Sequence, residues 1–177
     1  MKTVYENTLI KKFIASTKET PLNELIELAK DENELVRLEI AKRTDITELM
    51  LLKFAKDENE TEAVKIEVAK NRRSNIHVLR IIVKDKNPKV RIAIFSRSNI
   101  SVKILNMLIF DEDVNVLCHL AKSKKIMPSF LRILAAHENP IVREAVASNP
   151  KTPIFTLIKL WKDADPIVSA SASLRLW

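Results

Sequence analysis

Lysine and arginine side chains recur in short clusters through this chain, and they are the residues whose chemistry is most suggestive. Their ammonium and guanidinium groups donate charge-assisted hydrogen bonds to phosphate and carboxylate oxygens. The formal net charge of +7 adds a general attraction for anions. We call the following set the basic-turn residues: Lys70, Arg72, Arg73, Arg97, Lys122, Lys124, Lys125 and Lys151. If the fold aligns them, they form a positive edge suited to a polyanion or to an acidic protein surface.

The other reactive side chains do not form a recognisable site. Cys118 and His119 are adjacent, and neighbours on a helix point about 100° apart, so they do not face each other as a catalytic or metal-binding pair. A chain with no glycine cannot form a glycine-rich phosphate loop or a dinucleotide fingerprint. We therefore predict no catalytic residues, no metal site, no cofactor and no enzymatic activity.

A sequence repeat must position these side chains, and its most regular member is a valine. Successive valines are separated by 28, 26, 26, 26 and 26 residues: Val36, Val64, Val90, Val116, Val142 and Val168. Apolar residues within each unit are spaced by three and four, which is the helical period. Each unit fits two helices of about ten residues, helix A with the valine and helix B with two leucine columns. Helices this short are marginal alone, so neighbouring units must stabilise each other.

Proline marks the starts of these helices. An Asn-Pro or Asp-Pro pair, in which the polar residue caps a helix whose first residue is proline, precedes three A helices: Asn87-Pro88, Asn139-Pro140 and Asp165-Pro166. Thr20 and Thr152 also precede a proline and predict the same device at the start of helix B. His137 stands where the other repeats have aspartate, and we expect it to replace that aspartate at the helix start.

The repeat predicts an all-α fold. We expect an α-solenoid, wound as a right-handed superhelix, of about six 26-residue two-helix repeats plus a terminal helix. It forms a single domain over residues 1–177, with residues 1–9 as an N-terminal cap and residues 166–177 as a lone C-terminal helix. Leu174, Leu176 and Trp177 are expected to fold back over the last repeat, and the alternative is that they meet a second chain. The expected state is a monomer, with a homodimer through the C-terminal helix as the alternative.

A resemblance to a known family rests on the last repeat. The residues 149–153, Asn-Pro-Lys-Thr-Pro, are followed by Leu157 and Leu160 and then by Asp-Ala-Asp-Pro-Ile-Val at 163–168. This pattern resembles the repeat of bacterial leucine-rich repeat variant proteins, and equally the HEAT-like repeats with their Asp…Val-Arg signature. The resemblance covers roughly residues 10–177 and implies a helical solenoid.

Two features of the sequence depart from that family. The period of 26 is longer than the usual unit of leucine-rich repeat variants. The cysteine cluster that ligates an iron–sulfur centre in the family's founding member has no counterpart, because this chain has one cysteine. The resemblance therefore implies architecture and no cofactor.

Charge is segregated along the repeat. Acidic residues lie mostly between units and basic residues mostly within them, so stacking predicts one negative and one positive edge. The residues expected to share one positive stripe are Arg72, Arg73, Arg97, Lys122, Lys124 and Lys125. Two interpretations stay open: the charges complement the helix dipoles, or the positive edge binds anions with help from the N-termini of the B helices.

A second basic column follows the repeated valine. It comprises Lys11, Arg37, Lys65, Arg91 and Arg143. We interpret it as a ladder of contacts with the Asp or Asn of neighbouring loops, which ties adjacent units together, and a ligand groove is the alternative.

Helix B bears on the function because it is more apolar than one buried stripe requires. Its extra apolar side chains are either sandwiched between neighbouring helices or left as a face for a partner. The leading hypothesis is a non-enzymatic scaffold that binds a protein partner through its stacked helical surface. The alternative is nucleic-acid binding through the duplex backbone, or other polyanion binding, through the basic edge.

The location of the protein is predicted from what the sequence lacks. The longest apolar stretch is much shorter than the ~20 residues of a membrane-spanning helix, so no membrane association is expected. The first residues are too polar for a signal peptide. A single cysteine fits a reducing compartment. We therefore expect a cytoplasmic protein.

Overall fold

A computed structural model describes residues 8–177, which fold into thirteen α-helices and one 3₁₀ helix, with no strand in that range. Most of the expected N-terminal cap, residues 1–7, lies outside the described residues. The helices are α1 Thr8–Ser16, α2 Leu22–Leu28, α3 Glu34–Lys42, α4 Glu48–Lys56, α5 Glu62–Lys70, α6 Ile76–Ile82, α7 Pro88–Ile92, α8 Val102–Leu108, α9 Val114–Lys122, α10 Pro128–Leu134, α11 Pro140–Ala147, α12 Ile154–Trp161 and α13 Pro166–Leu176. The 3₁₀ helix, Ala93–Ser96, directly continues α7.

The helices alternate between the A and B positions of the repeat, which confirms the predicted all-α solenoid of repeated helix pairs. Odd-numbered helices are A helices and even-numbered helices are B helices. The chain divides into two compact units, Met1–Asn99 and Ile100–Trp177. In unit 1, α3 packs between α1 and α5, and α4 packs on α6; in unit 2, α11 packs between α9 and α13. The right-handed superhelix and the single domain stay predictions.

The repeated valine is the centre of each helix pair. All six valines of this column are fully buried. The aliphatic residue four positions after each of the first five valines is fully buried too. Burying one such side chain contributes about 1.5–3 kcal/mol. This regular burial explains why a single residue type holds its period through the chain.

Side-chain caps start most of the helices at the positions that the sequence indicates. Asn87, Asn139 and Asp165 each accept a hydrogen bond from the backbone N–H two residues on, and a proline follows each of them. The prediction for Thr20 and Thr152 is wrong. Their hydroxyls instead donate to the carbonyls six residues earlier, at the end of the preceding helix, at 2.5 Å. Ser74 donates in the same way to the carbonyl of Val68, so a hydroxyl at this turn satisfies a free carbonyl at the end of the A helix.

The turns explain how the chain dispenses with glycine. No described residue has a positive φ. The A helices mostly end in extended backbone, as at Arg43 and Ser123, whereas the B helices mostly end in right-handed helical backbone, as at Ala29 and Ala135. Only the left-handed region strongly favours glycine, so these turns accept other residues.

The C-terminal helix contradicts one expectation. α13 packs against α11 and α12. Leu174 and Trp177 are 84% and 95% exposed, so they do not fold back over the last repeat. The helix runs on to Leu176 without a turn, and Leu176 itself is half-buried. None of the helices between residues 8 and 177 is long and apolar enough to cross a membrane.

Candidate functional site

Ion pairs link successive loops, as the ladder interpretation predicts. The basic residue after the valine reaches an aspartate 20 residues later in three cases, Lys11–Asp31 at 2.7 Å, Lys65–Asp85 at 3.0 Å and Arg143–Asp163 at 2.8 Å. The hydrogen bonds from Arg143 are the largest cause of the lowered pKa of Asp163. Arg91 donates to the carbonyl of Asp85 in the loop that precedes its own helix. The column is therefore a structural ladder at these positions.

Arg37 is the exception in its choice of partner. The residue 20 positions later is Asp57, but Arg37 pairs with Glu60, 23 positions later, with Nη2 2.8 Å from Oε1 and Nε 2.9 Å from Oε2. The side chain of Glu60 is only 2% exposed. Asp57 is exposed, and its Oδ1 accepts the backbone N–H of Asn59 at 2.9 Å. The change of partner falls in the one loop where the valine interval is 28 residues instead of 26.

A cavity of about 450 Å³ lies beside this loop in unit 1. Its apolar wall comes from α2 and α4, including Ile26, Leu49 and Phe54. Its polar end comes from the two loops that follow these helices and includes Asp57. Leu49 is 64% exposed, so the apolar wall is accessible. We call this cavity the α2–α4 pocket.

A second polar column ties the ends of four A-helix segments to the repeat before them. In unit 2, Asn149 Nδ2 donates to the carbonyls of Ala121 and Ser123, 28 and 26 residues earlier. Three side chains of unit 1 make equivalent bonds to backbone carbonyls. Arg43 donates to Ala15 and Thr17, and Asn71 donates to Ala41 and Arg43. Arg97 donates to Ala69 and Asn71. We call Arg43, Asn71, Arg97 and Asn149 the staple residues. They satisfy the helix-end carbonyls that have no intrahelical partner.

The basic-turn residues of unit 1 are partly committed to such contacts. Lys70 Nζ lies 2.9 Å from Glu67 Oε1, and Arg73 Nε donates to the carbonyl of Thr44 at 2.9 Å. Arg97 is a staple residue, and its burial lowers the pKa of its guanidinium. Arg72 is exposed. Lys70, Arg72 and Arg97 nevertheless line a common cavity of about 440 Å³.

The basic-turn residues of unit 2 lie in the turns that follow helices α9 and α11. Lys122 ends α9, Lys124 and Lys125 follow it, and Lys151 lies between α11 and α12. All four are exposed. The structure thus brings Lys70, Arg72 and Arg97 together within unit 1, and one positive stripe over both units stays a prediction.

The B helices divide their apolar residues between the core and the solvent. Met50, Val78, Ile104 and Phe130, which sequence reasoning left as either sandwiched or exposed, are all buried. Other apolar side chains on these helices are exposed in both units, and we call the following set the B-helix face: Leu22, Leu49, Val102, Ile133, Ile154 and Phe155. Phe155 is 83% exposed, so it contributes little to its own fold.

Comparisons with known proteins place this architecture. No protein-family model matches the sequence, and no curated protein matches it. Among solved structures, one described as a leucine-rich repeat variant with a novel repetitive protein structural motif is similar, with 25% identity and a TM-score of 0.57. The match covers 88% of this chain and 72% of that one. This chain has the leucine-rich repeat variant fold.

The residues of this chain do not fit an iron–sulfur cluster. Such a cluster needs several thiolates, and Cys118 is the chain's one cysteine. Its Sγ lies 3.7 Å from the carbonyl of Ile141, and burial raises the pKa of its thiol, which opposes reactivity. His119 Nδ1 lies 2.9 Å from the carbonyl of Asn115 on its own helix. Among residues 8–177, no group of three or more His, Cys, Asp or Glu side chains could hold a metal ion.

His137 takes the place of an aspartate at the start of helix α11, as its column position predicts. Its Nδ1 accepts the backbone N–H of Asn139 at 3.0 Å, whereas Asp163 Oδ1 accepts from Asp165 in the equivalent way at 2.9 Å. The ladder position that would pair with His137 holds Leu117, which is buried. This position of the ladder therefore has no ion pair: Leu117 carries no charge, and the His137 ring is neutral when its Nδ1 accepts this hydrogen bond.

The staple residues and Glu60 are the polar residues whose roles the sequence analysis missed. The staple column holds two arginines and two asparagines, so no single residue type marks it. Its signal is the presence of an N–H donor at a constant distance from the valine. For Glu60 the signal is the longer valine interval, which indicates that the loop pairs in a different register.

Proposed function

We propose that this protein is an interaction scaffold that binds a partner protein through the B-helix face. The observation that supports this proposal is the exposure of apolar side chains on B helices in both units, with Leu49 at 64% and Ile133 at 50%. Isolated exposed apolar residues are ordinary, but here they recur on more than one B helix of each unit, which supports a binding role. Among them, the exposed ring of Phe155 belongs to the aromatic type that is enriched in interface cores.

The proposal includes a non-enzymatic mode of action in the cytoplasm. The helical-repeat fold supports a scaffold or interaction role, and the thiol of Cys118 lies against a backbone carbonyl. We propose that the protein is a monomer until it meets its partner. Sedimentation velocity at several protein concentrations tests this: a constant sedimentation coefficient is expected, and a coefficient that rises with concentration rejects it.

Site-specific photocrosslinking tests the proposed face. A benzoylphenylalanine placed at Leu49 or Ile133 should form a crosslink to a protein in native lysate. The matched controls are Ala63 on α5 and Asn115 on α9, which are exposed positions on A helices. Equal crosslinking from the control positions, or crosslinks to nucleic acid alone, would reject the proposal.

A second candidate function, polyanion binding, is favoured by the cavity that Lys70, Arg72 and Arg97 line. Binding of a 20-base-pair duplex or of heparin should then weaken steeply with salt. Arg72→Gln should make the dependence of log affinity on log salt concentration shallower, by the contribution of about one phosphate contact. Binding that is insensitive to salt, or unchanged in this variant, would reject polyanion recognition at this cavity.

A further inference from the structure

We propose that the α2–α4 pocket binds a cationic side chain, an arginine or lysine flanked by apolar residues, of a partner protein. This inference rests on the proposed interaction function and names the chemistry of the partner. It starts from the ladder, in which three aspartates pair with the basic residue 20 positions earlier, in Lys11–Asp31, Lys65–Asp85 and Arg143–Asp163.

The extra residues in one loop release an aspartate from the ladder. The loop from Asp31 reads Asp-Glu-Asn-Glu-Leu-Val, and the loop from Asp57 reads Asp-Glu-Asn-Glu-Thr-Glu-Ala-Val. Removing Glu60 and Thr61 from the second would give Asp-Glu-Asn-Glu-Ala-Val, the pattern of the first. The inserted Glu60 takes Arg37, and Asp57 is left exposed at the edge of the pocket.

The charges around the pocket favour a cation. Three ion pairs neutralise the groups that they contain: Lys11–Asp31, Arg37–Glu60 and Lys30–Glu27. The other charged lining residues are Glu32, Lys53 and Asp57, two carboxylates against one ammonium, and all three are exposed. The C-caps of α2 and α4, Ala29 and Asp57, also line the pocket, and the C-terminal end of a helix carries partial negative charge.

The shape of the pocket fits the amphipathic stem of such a side chain. Lysine and arginine bury their methylene groups against apolar surface while the charged head stays at the polar end. Ile26, Leu49 and Phe54 provide the apolar wall, and Asp57 stands at the polar end. The volume of about 450 Å³ lies within the roughly 300–1,000 Å³ of typical ligand pockets. An apolar neighbour of the cation would then contact the exposed Leu49.

Asp57 retains capacity to accept a guanidinium or ammonium group. Its Oδ1 accepts the N–H of Asn59, and an ionised carboxylate has about four acceptor positions. Asp57→Asn keeps the side-chain oxygen that accepts from Asn59 and removes the negative charge. The loop is therefore expected to keep its structure in this variant.

The test is a titration of the full chain with peptides, in which NMR monitors the backbone amide signals. The probe is a pool of acetylated, amidated heptapeptides with a central arginine between leucine or phenylalanine residues, and the comparison pool has citrulline in its place. We expect shifts at Leu49, Phe54 and residues 57–60, and about tenfold weaker binding for the citrulline pool. Equal binding of the two pools, or shifts confined to other surfaces, would overturn the inference.

Two variants separate this site from general electrostatic attraction. Asp57→Asn should weaken binding of the arginine pool about tenfold. Glu58→Gln removes the same charge from the same loop at a residue outside the pocket lining, and it should leave binding nearly unchanged. Equal losses in both variants would overturn the inference.

Deletion of Glu60 and Thr61 is the structural test. It should return Arg37 to Asp57, leave the helical circular dichroism unchanged and abolish binding of the arginine pool. Retained binding would show that the released aspartate is not the determinant. If photocrosslinking from Leu49 and Ile133 succeeds while the peptide tests fail, the interaction function stands and this inference falls; if the crosslinks fail, the proposed function itself falls.

Discussion

Replacing Asn149 with alanine should lower the stability of unit 2 by an amount that its contacts fix. The side chain of Asn149 is almost fully buried, with the residue 2% exposed. Its Nδ2 donates to the carbonyls of Ala121 and Ser123, and its Oδ1 accepts the backbone N–H of Lys151 at 2.8 Å. Alanine removes all three hydrogen bonds. Each contributes about 0.5–1.5 kcal/mol net, and the buried carbonyl left behind adds a further cost, so we expect a loss of about 3 kcal/mol.

Urea and thermal unfolding followed by circular dichroism at 222 nm would measure this loss. A change of about 3 kcal/mol corresponds to a fall in Tm of roughly 6–12 °C for a chain of this length. Lys151→Ala is the matched control because it keeps the backbone N–H that Asn149 binds and removes an exposed side chain. It should change stability by less than about 0.5 kcal/mol.

Asn149→Asp separates the donor from the acceptor. The carboxylate still accepts from Lys151, but it has no N–H for the two carbonyls and places negative charge beside them. We expect it to destabilise the protein at pH 7 at least as much as alanine does. A loss below about 1 kcal/mol in both Asn149 variants would refute the role given to the staple residues.

Two further outcomes follow from the ladder. Leu117→Arg and His137→Asp should each destabilise the protein. The double variant should be about 1–2 kcal/mol more stable than the sum of the two single losses predicts, which a double-mutant cycle measures as the coupling energy. Zero coupling would show that the two positions do not pair. Because the hydrogen bonds from Arg143 lower the pKa of folded Asp163 below its ordinary value of 3.8, the unfolded state takes up that proton first on acidification. Stability should therefore be retained above about pH 5 and fall below about pH 4. In Asp163→Asn, the free energy of unfolding should depend less steeply on pH in this acid range. An unchanged pH dependence would contradict the linkage.

The sequence predicts this fold well because burial repeats with the period. Val90 and its equivalents contact the same kind of apolar environment in every repeat, so their type is constrained in every repeat. The ladder is equally visible because Arg143 and Asp163 need opposite charges at a constant separation.

The α2–α4 pocket could not be predicted in the same way. The carboxylate that it exposes depends on which of Asp57 and Glu60 reaches Arg37, and sequence spacing favours the wrong one. The staple residues are hidden for a related reason. Arginine and asparagine differ in length, and only the three-dimensional path of the turn shows that Arg97 and Asn149 reach equivalent pairs of carbonyls, each in its own preceding repeat.

The turns without left-handed backbone have a consequence for how such a chain can change. A left-handed position would restrict a turn to glycine or asparagine, and a substitution there would cost stability. Every described turn here uses backbone that any L-amino acid other than proline adopts readily. Exposed turn positions such as Arg72 and Lys124 are therefore open to exchange of charge, size or polarity while the backbone is unchanged. We expect the surface chemistry of this protein to diversify first at these turns, independently of its core.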